Sequence, residues 1–172
     1  MGQWLTGNRA GTRYLCPLLT PYPEEARAAL EKLVEDNASG QVYLMGSSLG
    51  GWWATWLAEK YDLKAVLINP AVDMSEFNKI YINVRLKNYH TDDTYLLTEK
   101  DAEGFRVADI KVISRPGNYL LMLQKGDEVL DYRLAVKKYS GSKQLVEEGG
   151  DHSFVNFERH IPAAMEFLES EG

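Results

Sequence analysis

The chain has one cysteine, Cys16, so it cannot close an internal disulfide, and a reducing compartment, the cytoplasm, is the expected setting. No apolar run approaches the ~20 residues that span a bilayer, so no membrane partner is expected. The opening residues Met1-Gly2-Gln3-Trp4 lack the basic stretch and apolar core of a secretory signal. Lys and Arg number 19 against 25 Asp and Glu, a formal net charge of −6, and they are not clustered. Phosphate backbones are held by clustered cations that release counterions, which excludes nucleic acid as an expected partner. No pair of His, Cys or carboxylate residues has metal-ligand spacing, and no phosphate-binding glycine-rich motif occurs. Neither a metal nor a cofactor is therefore expected. Repeats, low-complexity tracts and Pro/Ser-rich linkers are also missing, so the 172 residues read as one domain, 1–172, around a single core.

What is present is an ordinary globular composition, 45% hydrophobic and 26% charged. Short apolar runs alternate with longer amphipathic segments, the pattern of an α/β fold in which helices cover both faces of a mostly parallel sheet. Strands are expected at Arg13–Cys16, Gln41–Met45, Ala65–Asn69, Leu120–Gln124 and, nearer an edge, Lys143–Glu147. The runs Ala65-Val66-Leu67-Ile68 and Leu120-Leu121-Met122-Leu123 are apolar without alternation, as strands buried on both faces are. Helices are expected from Pro23 to Asp36, Trp52 to Tyr61, Tyr132 to Tyr139 and along a C-terminal stripe of Phe157, Ile161, Ala164, Met165 and Leu168. Between Val72 and Asn118 the periodicity weakens, apart from a capping-box start at Thr98 and Asp101 for a helix towards Ala108. Residues 73–118 therefore read as a partial cap over the C-terminal strand ends, where ligands bind in such sheets.

The chemistry centres on Gly46-Ser47-Ser48-Leu49-Gly50-Gly51, a G-x-S-x-G pattern between a strand and a helix. A sharp strand-to-helix turn lifts the central serine above the sheet edge, and glycines flank it because side chains there would clash. The helix N-terminus then offers the backbone N–H of Leu49 as an oxyanion donor. A serine hydroxyl needs a base to take its proton. Of three histidines, His90 lies in the irregular stretch and His160 on a charged helical turn, whereas His152 follows Gly149-Gly150-Asp151 between the last strand and the last helix. The orienting acid should follow the next-to-last strand, where Asp127, Glu128 and Asp131 are candidates. Asp127 is favoured because it directly follows Gly126, while Asp131 suits the cap of the next helix. The order Ser48, Asp127, His152 is that of α/β-hydrolases. Trp52, Trp53 and Trp56 read as packing residues, Glu147, Glu148 and Asp151 as solvated charges that could raise the basicity of His152 slightly, and Cys16 as a buried small hydrophobe.

The stretches Tyr14-Leu15-Cys16-Pro17, Gly46 to Gly51, Leu57-Ala58-Glu59-Lys60-Tyr61, Asn69-Pro70-Ala71-Val72, Gly126 to Tyr132 and Glu148 to Phe154 resemble the YqiA-type small bacterial esterases. The resemblance runs from about Trp4 to the C-terminus. It implies an α/β-hydrolase that cleaves short-chain carboxylic esters and acyl-CoA thioesters, with Ser48, Asp127 and His152 as its triad. Members of that family open with an apolar strand and a His-Gly-Phe-type turn that provides a second oxyanion donor, whereas this chain opens within the helix that follows, near Gln3-Trp4-Leu5. The missing strand would lie between Arg13–Cys16 and Gln41–Met45, so a gap there, or a forced pairing of those two, is expected. A lost oxyanion donor costs about 10²–10³ in rate, so weakened hydrolysis is expected as well.

Two further readings stand beside the esterase. A non-catalytic binding protein could keep the hydrolase shell around an incomplete site, and a peptidase or lipase would share the triad but differ in the acyl pocket.

Overall fold

Residues 65–70 and 119–124 have no polar face, and such segments are stable only between two covering layers. They form the middle of the sheet. The computed structural model describes residues 2–74, 79–87 and 94–170. In chain order the elements are α1 (Gly2–Asn8), α2 (Pro23–Glu35), β1 (Leu44–Ser48), α3 (Leu49–Tyr61), β2 (Ala65–Pro70), β3 (Arg85–Lys87), β4 (Thr94–Leu96), α4 (Glu99–Ala108), β5 (Tyr119–Gln124), α5 (Tyr132–Lys138), β6 (Lys143–Glu147) and α6 (Ile161–Glu169). A 3-10 turn at Phe157–His160 leads into α6. Four strands pair in parallel in the order β1-β2-β5-β6, and β3 and β4 form a separate antiparallel pair.

Strand side chains alternate between faces, so each central strand feeds two cores. Val66, Ile68, Leu120 and Met122 meet Leu5 of α1 and Ile161, Ala164, Met165 and Leu168 of α6. Ala65, Leu67, Tyr119, Leu121 and Leu123 meet Ala54 and Ala58 of α3, Ala135 of α5 and Tyr139 just beyond it. Helices thus cover both faces of a mostly parallel sheet, as the sequence pattern predicts. A third cluster joins Ala26, Leu30 and Val34 of α2 to Trp52, Trp53 and Leu57 of α3 and to Leu97 and Phe105. Trp52 and Trp53 are buried there with their rings edge to face at 4.7 Å, the packing role expected of them. The capping box also forms, with the Asp101 carboxylate accepting from the Thr98 N–H and hydroxyl, both at 2.7 Å.

Four expectations change. Arg13–Cys16 is not a strand: it pairs with no strand among the described residues, and Tyr14 and Leu15 are exposed. Extended backbone becomes a strand only when a neighbour completes its ladder, and Arg13 bonds instead to the Asn37 side chain. Among the described residues the expected gap or forced pairing therefore does not arise; there the sheet runs unbroken from β1 to β6, which are its edges. Cys16, in the same stretch, is exposed rather than buried. The strand expected at Gln41–Met45 lies three residues later, at Leu44–Ser48, because pairing with β2 carries it up to the turn itself. Among the described residues, no helix is long and apolar enough to cross a membrane.

Candidate active site

β1 ends at Ser48 and α3 begins at Leu49, so the chain reverses with no intervening residue. Ser48 absorbs the turn at φ 52° and ψ −122°, a sparsely populated conformation that costs about 1–3 kcal/mol. A Cβ on Gly46 would stand 2.1 Å from the Gly50 carbonyl oxygen, and one on Gly51 would stand 2.7 Å from Cβ of Pro70. Gly50 itself faces open space, so the steric requirement falls on Gly46 and Gly51, not on every glycine of the motif. The N–H of Ala71 donates to the Ser48 carbonyl at 3.0 Å and ties the elbow to the end of β2.

The acid loop leaves β5 at Gln124, and beyond the sheet the Gly126 N–H donates to the Gly149 carbonyl at 2.8 Å. The Asp127 side chain is 2% exposed. Its Oδ1 accepts from the N–H groups of Val129 at 2.9 Å and Leu130 at 2.8 Å, which orients the carboxylate. Both of its oxygens lie 2.9 Å from Nδ1 of His152. Nε2 of the same ring lies 3.0 Å from Oγ of Ser48. A carboxylate only accepts, so Nδ1 carries the imidazole proton and Nε2 is left to accept from the serine hydroxyl. The structure thus brings Ser48 and Asp127 each within hydrogen-bonding distance of His152. Leu49, as the first residue of α3, keeps an N–H that no carbonyl within the helix can receive.

The other candidates fall elsewhere. Glu128 accepts from the backbone N–H of His152 at 3.1 Å and so braces the loop. Asp131 caps α5, accepting from the Arg133 N–H at 3.0 Å, as expected. His160 pairs with Glu147 at 2.9 Å, and His90 lies outside the described residues. Glu147 is more than a solvated charge: hydrogen bonds from Arg159 and then Gln124, reinforced by His160, hold its carboxyl down at about 2. Glu148 pairs with Lys125, and Asp151 accepts from the Ser153 N–H at 2.9 Å, so none of these three carboxylates bonds to the His152 ring among the described residues. An open cleft of about 490 Å³ between Val72, Lys111, Ile113, Lys138 and Ser142 contains none of the three converging residues.

Sequence reasoning missed the roles of Asn69 and Gln124, each 2% exposed at the end of an apolar strand. A polar residue that closes an otherwise apolar run is itself a signal, because buried amides are almost always bonded.

The fold superposes on a protein from Agrobacterium vitis S4 with a TM-score of 0.63 and 16% identity, over 86% of this chain and 69% of that one. A monoacylglycerol lipase from Paleococcus ferrophilus gives a TM-score of 0.63 and 18% identity, over 87% and 76%. Est1E from Butyrivibrio proteoclasticus gives 0.60 and 14%, over 86% and 72%. At such identities the likeness speaks to the fold, which is that of the α/β-hydrolases. A model of one protein family, described as "Uncharacterised protein family (UPF0227)", matches residues 1–169.

Proposed function

The chain belongs to the UPF0227 family, the YqiA-type family its motifs resemble, and on that premise we propose that it is a serine hydrolase of small carboxylic esters. The observation that carries this reading is the pair of distances at His152, 3.0 Å to the Ser48 hydroxyl and 2.9 Å to the Asp127 carboxylate. In the reaction Oγ of Ser48 attacks the ester carbonyl while Nε2 of His152 takes its proton, and Asp127 steadies the imidazolium that forms. The tetrahedral oxyanion is met by the N–H of Leu49. His152 returns the proton to the departing alkoxide, which leaves as the alcohol. Water, deprotonated by the same ring, then attacks the acyl-serine; His152 gives that proton to the departing Oγ of Ser48, the acid is released, and no cofactor enters.

Short acyl chains are the preferred class in this reading, with acyl-CoA thioesters second, since both present an acyl carbonyl open to attack by Oγ of Ser48. Residues 73–118, of which 75–78 and 88–93 lie outside the described residues, serve in this reading as a partial cap; the support is that the segment follows the end of β2 at Pro70 and Ala71, whose N–H holds Ser48. A cytoplasmic setting completes the proposal, supported by the lone free thiol of Cys16. The test is a fluorophosphonate probe together with p-nitrophenyl esters and acyl-CoAs of graded length. Labelling at Ser48 and turnover, both lost in Ser48→Ala, are expected; turnover that survives the substitution would assign it to another nucleophile or a contaminant.

A further inference from the structure

Asn69 sits one residue from the end of β2, buried, with φ at 39°. Left-handed backbone is tolerated by asparagine better than by most residues, so the position combines a local bend with an amide. That amide reaches two other segments. Its Oδ1 accepts from the Gln124 N–H at 2.9 Å, and its Nδ2 donates to the carbonyls of Asp151 at 3.0 Å and His152 at 3.2 Å. Two residues on, the Ala71 N–H holds the Ser48 carbonyl, and the Gln124 carbonyl accepts from the Asp127 N–H at 3.2 Å. The buried Asn69 amide therefore links the backbone segments that bear Asp127 and His152, and its neighbour Ala71 ties both to the segment that bears Ser48.

We propose that Asn69 is the positioning residue of the site, setting the height of the His152 ring between Asp127 and Ser48. The inference rests on the serine-hydrolase reading for its catalytic meaning, and on the hydrogen bonds alone for its geometry. Gln124 completes the clamp. Its Oε1 accepts from the N–H groups of Asp151 at 3.3 Å and Val155 at 2.8 Å, and its Nε2 donates to the Val155 carbonyl at 3.0 Å. The histidine loop is thereby gripped at residues 151, 152 and 155. Position 69 needs a donor and an acceptor at once. A carboxylate there would face two carbonyl oxygens without a proton to offer, and an apolar residue would strand three polar groups in the interior. Displacements near 1 Å at reacting atoms cost on the order of 10²-fold in rate, so a loosened loop shows in turnover before it shows in folding.

The test uses Asn69→Asp, which keeps the shape and loses the donors, and Asn69→Gly, which keeps the backbone bend and loses the amide. Two readouts are taken: kcat and KM on p-nitrophenyl acetate, and NMR of isotope-labelled histidine, which reports the nitrogen that carries the His152 proton. We expect kcat to fall about 10²-fold with KM nearly unchanged, and the His152 proton to shift from Nδ1 towards a mixture of tautomers. A wild-type tautomer and kcat within about threefold in both variants would overturn the proposal. Should both fail to fold, Asn69→Ser is read in their place; a drop of about tenfold with a changed tautomer supports the role, and wild-type values overturn it. If the wild type neither labels at Ser48 nor turns over, the hydrolase reading falls, while the tautomer comparison still decides whether Asn69 sets the ring.

Discussion

A Cβ placed on Gly126 would stand 2.3 Å from the carbonyl oxygen of Gly150. The loop that carries Asp127 and the loop that carries His152 therefore cross in backbone contact, which holds acid and base in register beyond the ends of β5 and β6. Gly126→Ala must push them apart. The expected result is a fall in kcat of about 10²-fold with a stability loss of about 1–3 kcal/mol from overpacking. Ester turnover and the urea midpoint measure the two effects, and an unchanged kcat would show that the crossing does not hold the site.

This crossing also marks where sequence reading succeeds and stops. β2 and β5 were legible because an uninterrupted apolar run has one stable environment, and α3 because Ser48 and its glycines announce the turn that opens it. Ser48 and His152 could be named because the strand-loop pattern leaves each one place, and Asp127 was favoured over Glu128 and Asp131 because it directly follows Gly126; the structure brings the three together. Arg13–Cys16 misled because extended character is local whereas ladder pairing is not; nothing in four residues says whether a neighbour will meet them. The Asn69 clamp was hidden for a related reason: its partners are backbone groups 55 to 83 residues away, and backbone groups have no signature in sequence.

Strain at the nucleophile predicts an exchange of stability for activity. At φ 52° a glycine rests without penalty, whereas alanine keeps the strain of serine. Ser48→Gly and Ser48→Ala both lose the hydroxyl and all labelling. After allowance for the extra freedom glycine has when unfolded, Ser48→Gly should be the more stable by about 1 kcal/mol. In a domain of this size that is about 2–4 °C in Tm. Equal melting temperatures would mean that the elbow stores no strain.

Asp127→Asn should leave the fold intact and stop the chemistry. Oδ1 of residue 127 accepts from Val129 and Leu130, so the carbonyl of an asparagine will stay there and its NH₂ will face the imidazole. That group donates to Nδ1 and drives the ring proton onto Nε2, where it cannot receive the serine proton. The expected fall in kcat is about 10⁴-fold, the order seen for this exchange in serine-protease triads. A loss below tenfold would show that the ring finds its tautomer without Asp127.

Glu147 sets an acid limb for stability. Its carboxyl, ordinarily near 4.5, is held at about 2 by Arg159, Gln124 and His160, so the folded state binds that proton more weakly than the unfolded chain. The stabilisation is complete above about pH 4.5 and is lost as pH falls towards 2. Urea midpoints taken from pH 6 to pH 2.5 should decline more steeply for the wild type than for Glu147→Gln, which starts lower and has no carboxyl there to titrate. Parallel curves would mean that the group does not couple to folding.

The last prediction concerns the pair beneath the elbow helix, Thr55 and Tyr139, both 1% exposed and joined at 2.7 Å. Thr55 has one hydroxyl proton, and it goes to the Gly51 carbonyl at 2.9 Å. Its oxygen must then accept from the Tyr139 hydroxyl, which burial keeps protonated by pushing its pKa up. The two single substitutions are consequently unequal. Tyr139→Phe removes the donor together with its need for a partner and leaves Thr55 bonded to Gly51, a cost of about 0.5–1.5 kcal/mol. Thr55→Val strands a phenolic O–H inside the core and should cost about 1–3 kcal/mol. In the double variant no orphan remains, so its loss should fall short of the sum of the two. A double-mutant cycle by urea unfolding reads this directly. Strict additivity would mean that the hydroxyl of Tyr139 finds another acceptor once Thr55 is gone, and that the bond to Thr55 is not what anchors α3 beneath Ser48.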